Sequence, residues 1–597
     1  MKNFVQFLLI ILPAVLILSC ANRAEGPTGG PKDSIPPIVV RSTPLNGSIN
    51  YKKKEVQVYF NENITVDKVA ENVVISPPQT VQPVIRGNAR VLTVNFQDEL
   101  IDSTTYSIIF GDAIVDLNEK NILKNYTFSF ATGPEIDTLK IAGRLFDARN
   151  LDPLPGIIVG IHSNLEDSAL LKQQFLRIGK TDEKGEFTVM NIKAGRYKLY
   201  ALKDNNRDMM YQPGEAVAFH DSIHIPEVRF TEKIDTIWAD SVQIDTIINR
   251  RTIQYKPDEL VLKLFTESKK RQYLLKTERP DPRWFNLIFN DRQDSLPVVR
   301  PLNFTAEQPF LLQKSSRLDS LTYWIPDSTI YQLDTLQLEV SYKKTDSIYQ
   351  LVQATDTLQL TVRRQRSQTR GAAAVVVGPL QFKSNLSSEF ELYNKAILNF
   401  DEPVKYIDTA MVSISEKVDT VLHPIAFKWI ALDSIGLRYQ LDLPLKSGSS
   451  YEFTADSAAF KTIYGKVNLL TKRNFKIKLP EDYAIFSVVL ENPDTLAVLE
   501  IISPQELVLY TQKAKGKEVK FEYLKPGDYF LRMYIDRNNN GQWDPGSIDS
   551  RTQPEEVFYF SKKLTLKANW ELEENWNHLD PGWVNRKPEE LIKTGKK

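Results

Sequence analysis

The stretch LKPGDYFLRMYIDRNNNGQWDPGS, residues 524–547, aligns without a gap on IKAGRYKLYALKDNNRDMMYQPGE, residues 192–215. Both copies contain Gly-x-Tyr-x-Leu, then Asp-x-Asn, then Pro-Gly. In the second copy apolar side chains recur at every other position: Tyr529, Leu531, Met533 and Ile535. A period of two is typical of a β-strand that buries one face. The stretch therefore predicts a strand followed by a polar turn, in a module that the chain contains twice.

The rest of the chain has the composition of a β protein. Its 597 residues include 10% aromatic residues and 33 prolines. Aromatic and β-branched residues favour strands, and proline punctuates short strands and loops. Hydrophobic residues make up 42% of the chain, which is ordinary for a folded soluble protein. We therefore predict an all-β protein of tandem β-sandwich domains in an extended array, preceded by an N-terminal signal helix.

The charge balance and the cysteine count argue against some classes of function and of site. Lys plus Arg and Asp plus Glu number 75 each. Nucleic-acid-binding proteins usually carry a basic excess, so the chain is not expected to bind nucleic acid. Cys20 is the only cysteine in the sequence. It excludes a disulfide within the chain and a metal site built from several cysteines.

The N-terminus has the pattern of an export signal. Lys2 precedes an almost wholly apolar segment, residues 4–18, that is shorter than a typical membrane span. The sequence LILSC at residues 16–20 resembles a bacterial lipobox, in which the cysteine becomes the lipidated N-terminus. The resemblance implies a signal peptide over residues 1–19 and lipid at Cys20. An ordinary secretory signal is the alternative.

The residues after the cysteine bear on location. Ala21 stands where an Asp would resemble the usual inner-membrane retention signal, so the resemblance implies the outer membrane, facing the periplasm or the surface. Residues 20–37 are rich in Gly, Pro and charge and predict a flexible tether.

Alternating strands precede each copy of the repeat. Before the first copy they are KEVQVYFNENI (54–64), ARVLTVNF (89–96) and YTFSF (126–130). Four segments in order, IPPIVVRSTPLNGS (35–48), VYFNENI (58–64), TTYSIIFGDAIVDLNEK (104–120) and YTFSFATG (126–133), resemble the bacterial Ig-like domain of the S-layer type. The resemblance implies a β-sandwich over residues 38–134. Echoes before the second copy are LNFDEPV (398–404), SGSSYEFTADSAAF (447–460) and NFKIKL (474–479). They predict a second, degenerate Ig-like domain over residues 375–480.

The repeated module has its own resemblance. TDEKGEF at residues 181–187, followed by GRYKL at 195–199, resembles the prealbumin-like, carboxypeptidase-regulatory-like fold. In both places a glycine-containing turn leads into an alternating strand. The resemblance implies β-sandwiches over residues 138–230 and 482–570, with a structural or binding role. A β-rich domain of unassigned family is expected over residues 231–370, and a C-terminal tail over 571–597.

The Asp- and Asn-rich loops that follow the repeated strand have two interpretations. The second copy places oxygen-bearing side chains at relative positions 1, 3, 5 and 9 of a calcium loop: Asp536, Asn538, Asn540 and Asp544. The first copy fills positions 1, 3, 5 and 12: Asp204, Asn206, Asp208 and Glu215. Each departs from the calcium pattern once, with Ser547 at position 12 and Met209 at position 6. The loops predict either modest Ca²⁺ sites or self-capped turns, and Ca²⁺ is the only cofactor suggested.

No catalytic motif is evident. Of the five histidines, only His220 and His224 are close in sequence. They could pair around a metal with Asp221 nearby, or they could be solvated strand residues. The sequence lacks a phosphate-binding loop in a strand-to-helix context and a G-x-S-x-G nucleophile motif. We therefore expect that the protein is not an enzyme.

Together these patterns predict a non-catalytic cell-envelope lipoprotein. It would be held to a membrane through lipid at Cys20 and would act in adhesion, scaffolding or the binding of a protein partner. One alternative is a carbohydrate-binding accessory lipoprotein, in which Trp543 would stack on a sugar. Another is an enzyme with an unrecognised site in the middle segment.

Overall fold

A computed structural model describes residues 33–238, 244–267, 271–347, 349–362, 378–580 and 587–593. The signal peptide and Cys20 lie outside the described residues. The chain divides into two compact units. The first contains the described residues up to Phe146 together with Pro153–Leu264. The second contains Asp147–Asp152 and the described part of Phe265–Thr594.

The described chain is nearly all β and consists of tandem β-sandwich domains. We name these domains A1 (residues 33–134), B1 (139–266), M (272–361), A2 (380–479) and B2 (483–576). The α-helices among the described residues are four-residue turns: Val69–Asn72, Ala169–Lys172 and Ser328–Tyr331. Single 3₁₀ turns are Thr409–Met411, Pro480–Asp482 and Glu589–Leu591.

A1 is a sandwich of two main sheets. The four-stranded sheet has the spatial order Val39–Thr43, Glu55–Phe60, Val91–Asn95, Val84–Asn88. The three-stranded sheet has the order Val74–Ser76, Thr105–Ile109, Thr127–Ala131, and a short pair joins Ile64–Val66 to Ile114–Asp116. Val58 and Leu92 from the first sheet meet Ile108 and Phe128 from the second in one buried core. The alternation read from the sequence is therefore what fills this domain.

A2 repeats the strand order of A1 and adds one strand at each edge of its second sheet. Its four-stranded sheet runs Phe382–Ser384, Ala396–Phe400, Arg438–Asp442, Lys428–Ala431. Its second sheet runs Glu389–Phe390, Thr471–Ile477, Ser450–Ala455, Val412–Val418, Val421–Pro424, and the short pair is Val404–Ile407 with Phe460–Thr462. Its buried core includes Leu398, Phe453 and Phe475. The two A domains thus share one topology.

B1 has seven strands, one of which comes late in the sequence. They run Arg177–Lys180, Ile158–His162, Lys198–Lys203, Ala216–Phe219, Leu260–Thr266, Leu139–Asp147, Glu186–Ile192. Before the late strand, Glu227–Trp238 and Ile244–Lys256 pair as an antiparallel ribbon. Buried apolar side chains of the main strands, including Ile141, Val159 and Leu199, form the core.

B2 repeats the strand order of B1 in two sheets. One runs Glu518–Leu524, Ala484–Leu490, Glu571–Trp576. The other runs Val508–Lys513, Ala497–Ile502, Gly527–Ile535, Val557–Tyr559, with Leu564–Leu566 also pairing to Gly527–Ile535. Phe486, Leu499 and Leu531 lie in its closed core.

Each B domain ends with a strand that the sequence-based boundaries assigned to a different segment. Residues 260–266, expected in the middle domain, are a strand of B1. Residues 571–576, expected in the C-terminal tail, pair in parallel with Ala484–Leu490, and Trp576 is fully buried. In B1 the ribbon lies in sequence between Leu260–Thr266 and the other strands of its sheet. The sequence pattern is interrupted there, and the interruption resembles a domain boundary.

M is a sandwich of a four-stranded and a three-stranded sheet. The first runs Leu274–Asp281, Trp284–Phe289, Ser320–Trp324, Leu311–Lys314. The second runs Val298–Pro301, Thr335–Thr345, Leu351–Thr361. Phe285, Leu287, Leu321 and Leu338 fill the space between the sheets. Residues 363–377, which follow M, lie outside the described part of the chain.

Candidate functional site

The first Asp/Asn loop, residues 204–215, is closed by two carboxylates. Asp204 accepts hydrogen bonds from the backbone N–H groups of Arg207 (2.6 Å) and Met209 (2.9 Å). Glu215 accepts from the backbone N–H groups of Asn205 (2.9 Å) and Gln212 (3.0 Å). Polar side chains therefore hold the backbone of this turn, as the self-capping interpretation predicts.

The second loop repeats this arrangement with a different glutamate. Asp536 accepts from the backbone N–H groups of Asn540 (3.0 Å) and Gly541 (2.8 Å). Glu555 accepts from those of Arg537 (2.8 Å) and Asp544 (3.0 Å). Arg537 and Asp544 align with the two residues that bind Glu215 in the first copy. Glu555, rather than the Ser547 of the ungapped alignment, is therefore the structural counterpart of Glu215.

The remaining candidate calcium ligands are also hydrogen-bonded within the loops. Asn538 and Asn540 both donate to Asp544 Oδ2, at 2.6 Å. In the first loop Asn206 donates to Asp208 Oδ2, at 2.8 Å. Among the described residues, no group of three His, Cys, Asp or Glu side chains is arranged to hold a metal ion. The described geometry accounts for both loops as turns, and Ca²⁺ binding stays a prediction.

Glu555 is the most perturbed carboxyl of the second loop. Its burial, followed by the nearby negative charges of Asp544 and Asp536, raises its pKa above the ordinary value. Asp536 itself is only 1% exposed. The negative charges of Asp544 and Asp536 therefore disfavour the ionised form of Glu555, in addition to the effect of its burial.

A cleft borders the first loop inside the first unit. Its volume is about 460 Å³. Apolar side chains of A1 and B1 line most of it, including Val73, Ile75, Ile158 and Ile178. At one end stand charged residues: Glu71, Lys180, Asp204 and Arg207. The loop that the sequence singled out therefore forms one rim of a cleft between two domains.

A second cleft borders the second loop inside the second unit, and we call it the Trp543 cleft. Its volume is about 310 Å³. The lining residues are Arg149, Glu500, Arg532, Tyr534, Gly541, Gln542, Trp543 and Val557. The indole N–H of Trp543 donates to the backbone oxygen of Glu555 at 2.9 Å, which fixes the ring against the loop. The carbohydrate candidate from the sequence therefore lines a real concavity.

Three tryptophans follow Trp543 in the sequence, and they differ in setting. Trp576 is buried in the core of B2. Trp570 is 53% exposed, and the Lys567 ammonium lies 4.6 Å from its ring centroid. Trp583 lies outside the described residues. Of these three, Trp570 is the one with an accessible ring in a described environment.

The histidines are mainly packed among other rings or exposed singly. His220 and His224 lie with ring centroids 4.6 Å apart, and burial lowers the pKa of His224 to about 4. Burial likewise lowers the pKa of His162, which is 2% exposed, to about 4. His578 contacts Phe558, and His423 lies on an exposed strand. The predicted metal pair is thus close together, with Asp221 raising the pKa of His220 against the effect of burial.

No helix within the described ranges is long and apolar enough to cross a membrane.

Comparison with known proteins supports one domain directly. Residues 33–132 match the family model described as bacterial Ig-like domain. This span coincides with A1. No curated protein matches the chain.

Solved structures of multi-domain surface proteins align with the chain only loosely. The S-layer protein rSbsC is 11% identical, with 89% of this chain and 67% of that chain covered and a TM-score of 0.12. A Bacteroides ovatus protein, SGBP-B of a mixed-linkage glucan utilization locus, is 10% identical, covering 83% and 98%, with a TM-score of 0.16. Similarity at this level carries no argument about shape or function.

Proposed function

We propose that this protein is a non-catalytic cell-envelope lipoprotein whose β-sandwich domains present loops and clefts to a protein partner. Lipid on Cys20 would hold it to the outer membrane, and residues 20–37 would act as its tether. The lipobox resemblance and the bacterial Ig-like match of A1 support the envelope location. Adhesion and scaffolding are the activities that such a protein would serve.

One observation carries the binding role. In each copy of the B domain, the Asp/Asn loop is rigidly capped and forms the rim of a cleft, of about 460 Å³ in one unit and about 310 Å³ in the other. Clefts of this size are typical of binding sites, which commonly lie where domains or loops meet. The described domains meanwhile have closed apolar cores, which suits a framework that displays loops.

Co-purification from native membranes tests this proposal. The wild-type chain and a Cys20→Ala variant are each isolated with a C-terminal tag after mild cross-linking. We expect the wild type to incorporate labelled palmitate, to fractionate with outer membranes and to enrich the same envelope proteins in replicate preparations. A wild type that carries no lipid, or that enriches no protein above a tag-only control, would count against it.

A further inference from the structure

We propose that the Trp543 cleft binds an acidic saccharide. This goes beyond the proposed function, because sugar binding at this cleft requires neither the lipid anchor nor a protein partner. The cleft combines a fixed aromatic wall, a polar floor and a cationic side chain at the rim.

The aromatic wall is rigid. Trp543 packs against a buried cluster that includes Phe530, Tyr534 and Val557. Its indole N–H is also held by the backbone oxygen of Glu555. A ring fixed on one side and accessible on the other offers a flat apolar surface at little entropic cost on binding, which suits the C–H face of a sugar.

The floor supplies hydrogen-bonding groups that are already ordered. The guanidinium of Arg532 donates through Nε and Nη2 to Glu500 Oε2, at 2.8 and 2.5 Å, and the Arg532 side chain is almost buried. Tyr534 is 3% exposed and lines the cleft. A phenol hydroxyl can both donate to and accept from a sugar hydroxyl, so this residue adds a polar group to the floor. The amide of Gln542 lies at the exposed rim.

The rim carries a cationic side chain, Arg149. The Arg149 guanidinium lies 5.9 Å from the Trp543 ring centroid. Within the described ranges Arg149 has no ion pair, whereas Arg532 is neutralised by Glu500. A carboxylate on the ligand would therefore find a charge-assisted partner at Arg149. Aromatic wall, hydroxyl-binding floor and cationic rim together fit a uronic acid.

The segment that presents Arg149 is fixed in place. Leu151 is buried in the same cluster that supports Trp543. Asp152 Oδ1 accepts a hydrogen bond from the Lys587 ammonium at 2.6 Å. Arg149 is thus held over the cleft by two anchors within three residues, which preorganises the rim for its ligand.

Calorimetry and saturation-transfer NMR on the chain without its signal peptide and lipidation site, residues 21–597, test the proposal. The probes are trimers of galacturonate, glucuronate and mannuronate, the neutral trimers of the parent sugars, and acetate. We expect at least one uronate trimer to bind at least tenfold more tightly than its neutral counterpart and far more tightly than acetate. Failure of every uronate trimer to bind, or equal binding of acetate, would overturn the proposal. The co-purification result would be unaffected.

Variants assign the binding to this cleft. Trp543→Ala should weaken uronate binding at least tenfold, and Arg149→Met should remove the preference for the charged trimer while leaving weak neutral binding. Trp570→Ala is the matched control, since it removes an accessible tryptophan beside a lysine elsewhere in B2. If Trp543→Ala fails to fold, Trp543→Phe preserves an aromatic ring and should weaken binding less. Unchanged binding in Trp543→Ala, or an equal loss in Trp570→Ala, would contradict the assignment.

Discussion

Lys587 Nζ lies 2.6 Å from Asp152 Oδ1, although 435 positions separate the two residues in sequence. The same ammonium lies 2.7 Å from Glu506 Oε1, and its side chain is only 2% exposed. One buried lysine thus joins three distant segments of the second unit. Lys593 contacts Glu506 from the solvent side, at 2.9 Å.

We expect Lys587→Met to destabilise the B2 region by about 3 kcal/mol, because removing one partner of a buried ion pair leaves a carboxylate uncompensated. Hydrogen exchange of residues 147–152, 498–502 and 557–559 would measure the loss locally. Lys593→Met is the control, since its side chain is 66% exposed, and it should cost under about 1 kcal/mol. Equal losses in both variants would show that burial does not set the strength of this cluster.

The same cluster should respond to acid. Burial would raise the pKa of Glu506, but the Lys587 and Lys593 ammonium groups hold it below its usual 4.5. Its contribution to stability is therefore complete above about pH 4.5 and is lost as the pH falls through the lower folded-state pKa. The protection of residues 147–152 against exchange, measured relative to the intrinsic rate at each pH, should fall below pH 4.5 in the wild type, with a weaker pH dependence in Glu506→Gln.

His162 should make B1 sensitive to mild acid. Burial lowers its pKa to about 4 from 6.5, so the unfolded chain takes up a proton before the folded domain does. Its stabilising contribution is therefore full above pH 6.5 and is lost as the pH falls towards 4, at a cost of about 3 kcal/mol. The melting temperature of B1 should fall over this window. His162→Phe, in a pocket already lined by Phe175 and Tyr200, should reduce the dependence and leave the share that His224 contributes.

Two glycines with similar backbones should differ in their tolerance of alanine. Gly185 has φ +72°, and a Cβ there would lie 2.4 Å from the backbone oxygen of Leu145. Gly541 has φ +77°, with nothing within 4 Å of a Cβ. Gly541→Ala should therefore cost only about 1–2 kcal/mol from its left-handed backbone. Gly185→Ala adds a steric clash and should cost more. Chemical denaturation, followed by domain-resolved hydrogen exchange, would compare the losses in unfolding free energy of the two variants. Equal losses would show that the clash with Leu145 does not contribute.

Calcium should bind the second loop more readily than the first. Asp544 and Asp536 lie near enough to raise the pKa of Glu555, so negative charge accumulates at this loop, and Gly541 allows the sharp turn at position 6. We expect millimolar Ca²⁺, but not Mg²⁺, to raise the melting temperature of the B2 transition in the full chain. Asp536→Asn should reduce the shift, and Asp204→Asn should leave it intact. If Ca²⁺ causes no shift in the wild type, the loops are turns alone.

Local patterns predicted the strands well, and insertions explain what they missed. Alternation at Tyr529, Leu531 and Met533 marks a buried face because period-two patterning is a local property. Glu555 was missed because residues 547–554 separate it from the loop, so an ungapped alignment stops at Ser547. The feature that could have identified Glu555 is the strand just after it, Val557–Tyr559. Val557 of this strand pairs with Tyr534, as Val217 pairs with Leu202 in the first copy.

The partners across domains left no signal in the sequence. Nothing in a single sequence relates Arg149 to Trp543, or Asp152 to Lys587, because such contacts depend on how distant segments meet. Trp543 was a candidate because its ring could stack on a sugar. Its cleft could not be predicted, because one of the lining residues, Arg149, comes from a segment that is distant in sequence. The predicted boundaries of the B domains differ from those in the structure for the same reason. Which sheet a strand belongs to depends on its pairing, which a single sequence does not show.

The parallel pairing of Glu571–Trp576 with Ala484–Leu490 also bears on biosynthesis. A ribosome makes the first of these strands before the rest of B2 and the second only after nearly all of it. Until then the nascent domain has an unpaired strand edge, which is a template for pairing with other chains. A chain that ends before Glu571–Trp576, through a truncated messenger or through proteolysis, would keep this unpaired edge and would be prone to aggregation. The edge of Ala484–Leu490 is therefore protected against pairing with other chains only after the last strand of B2 has been synthesised and has paired with it.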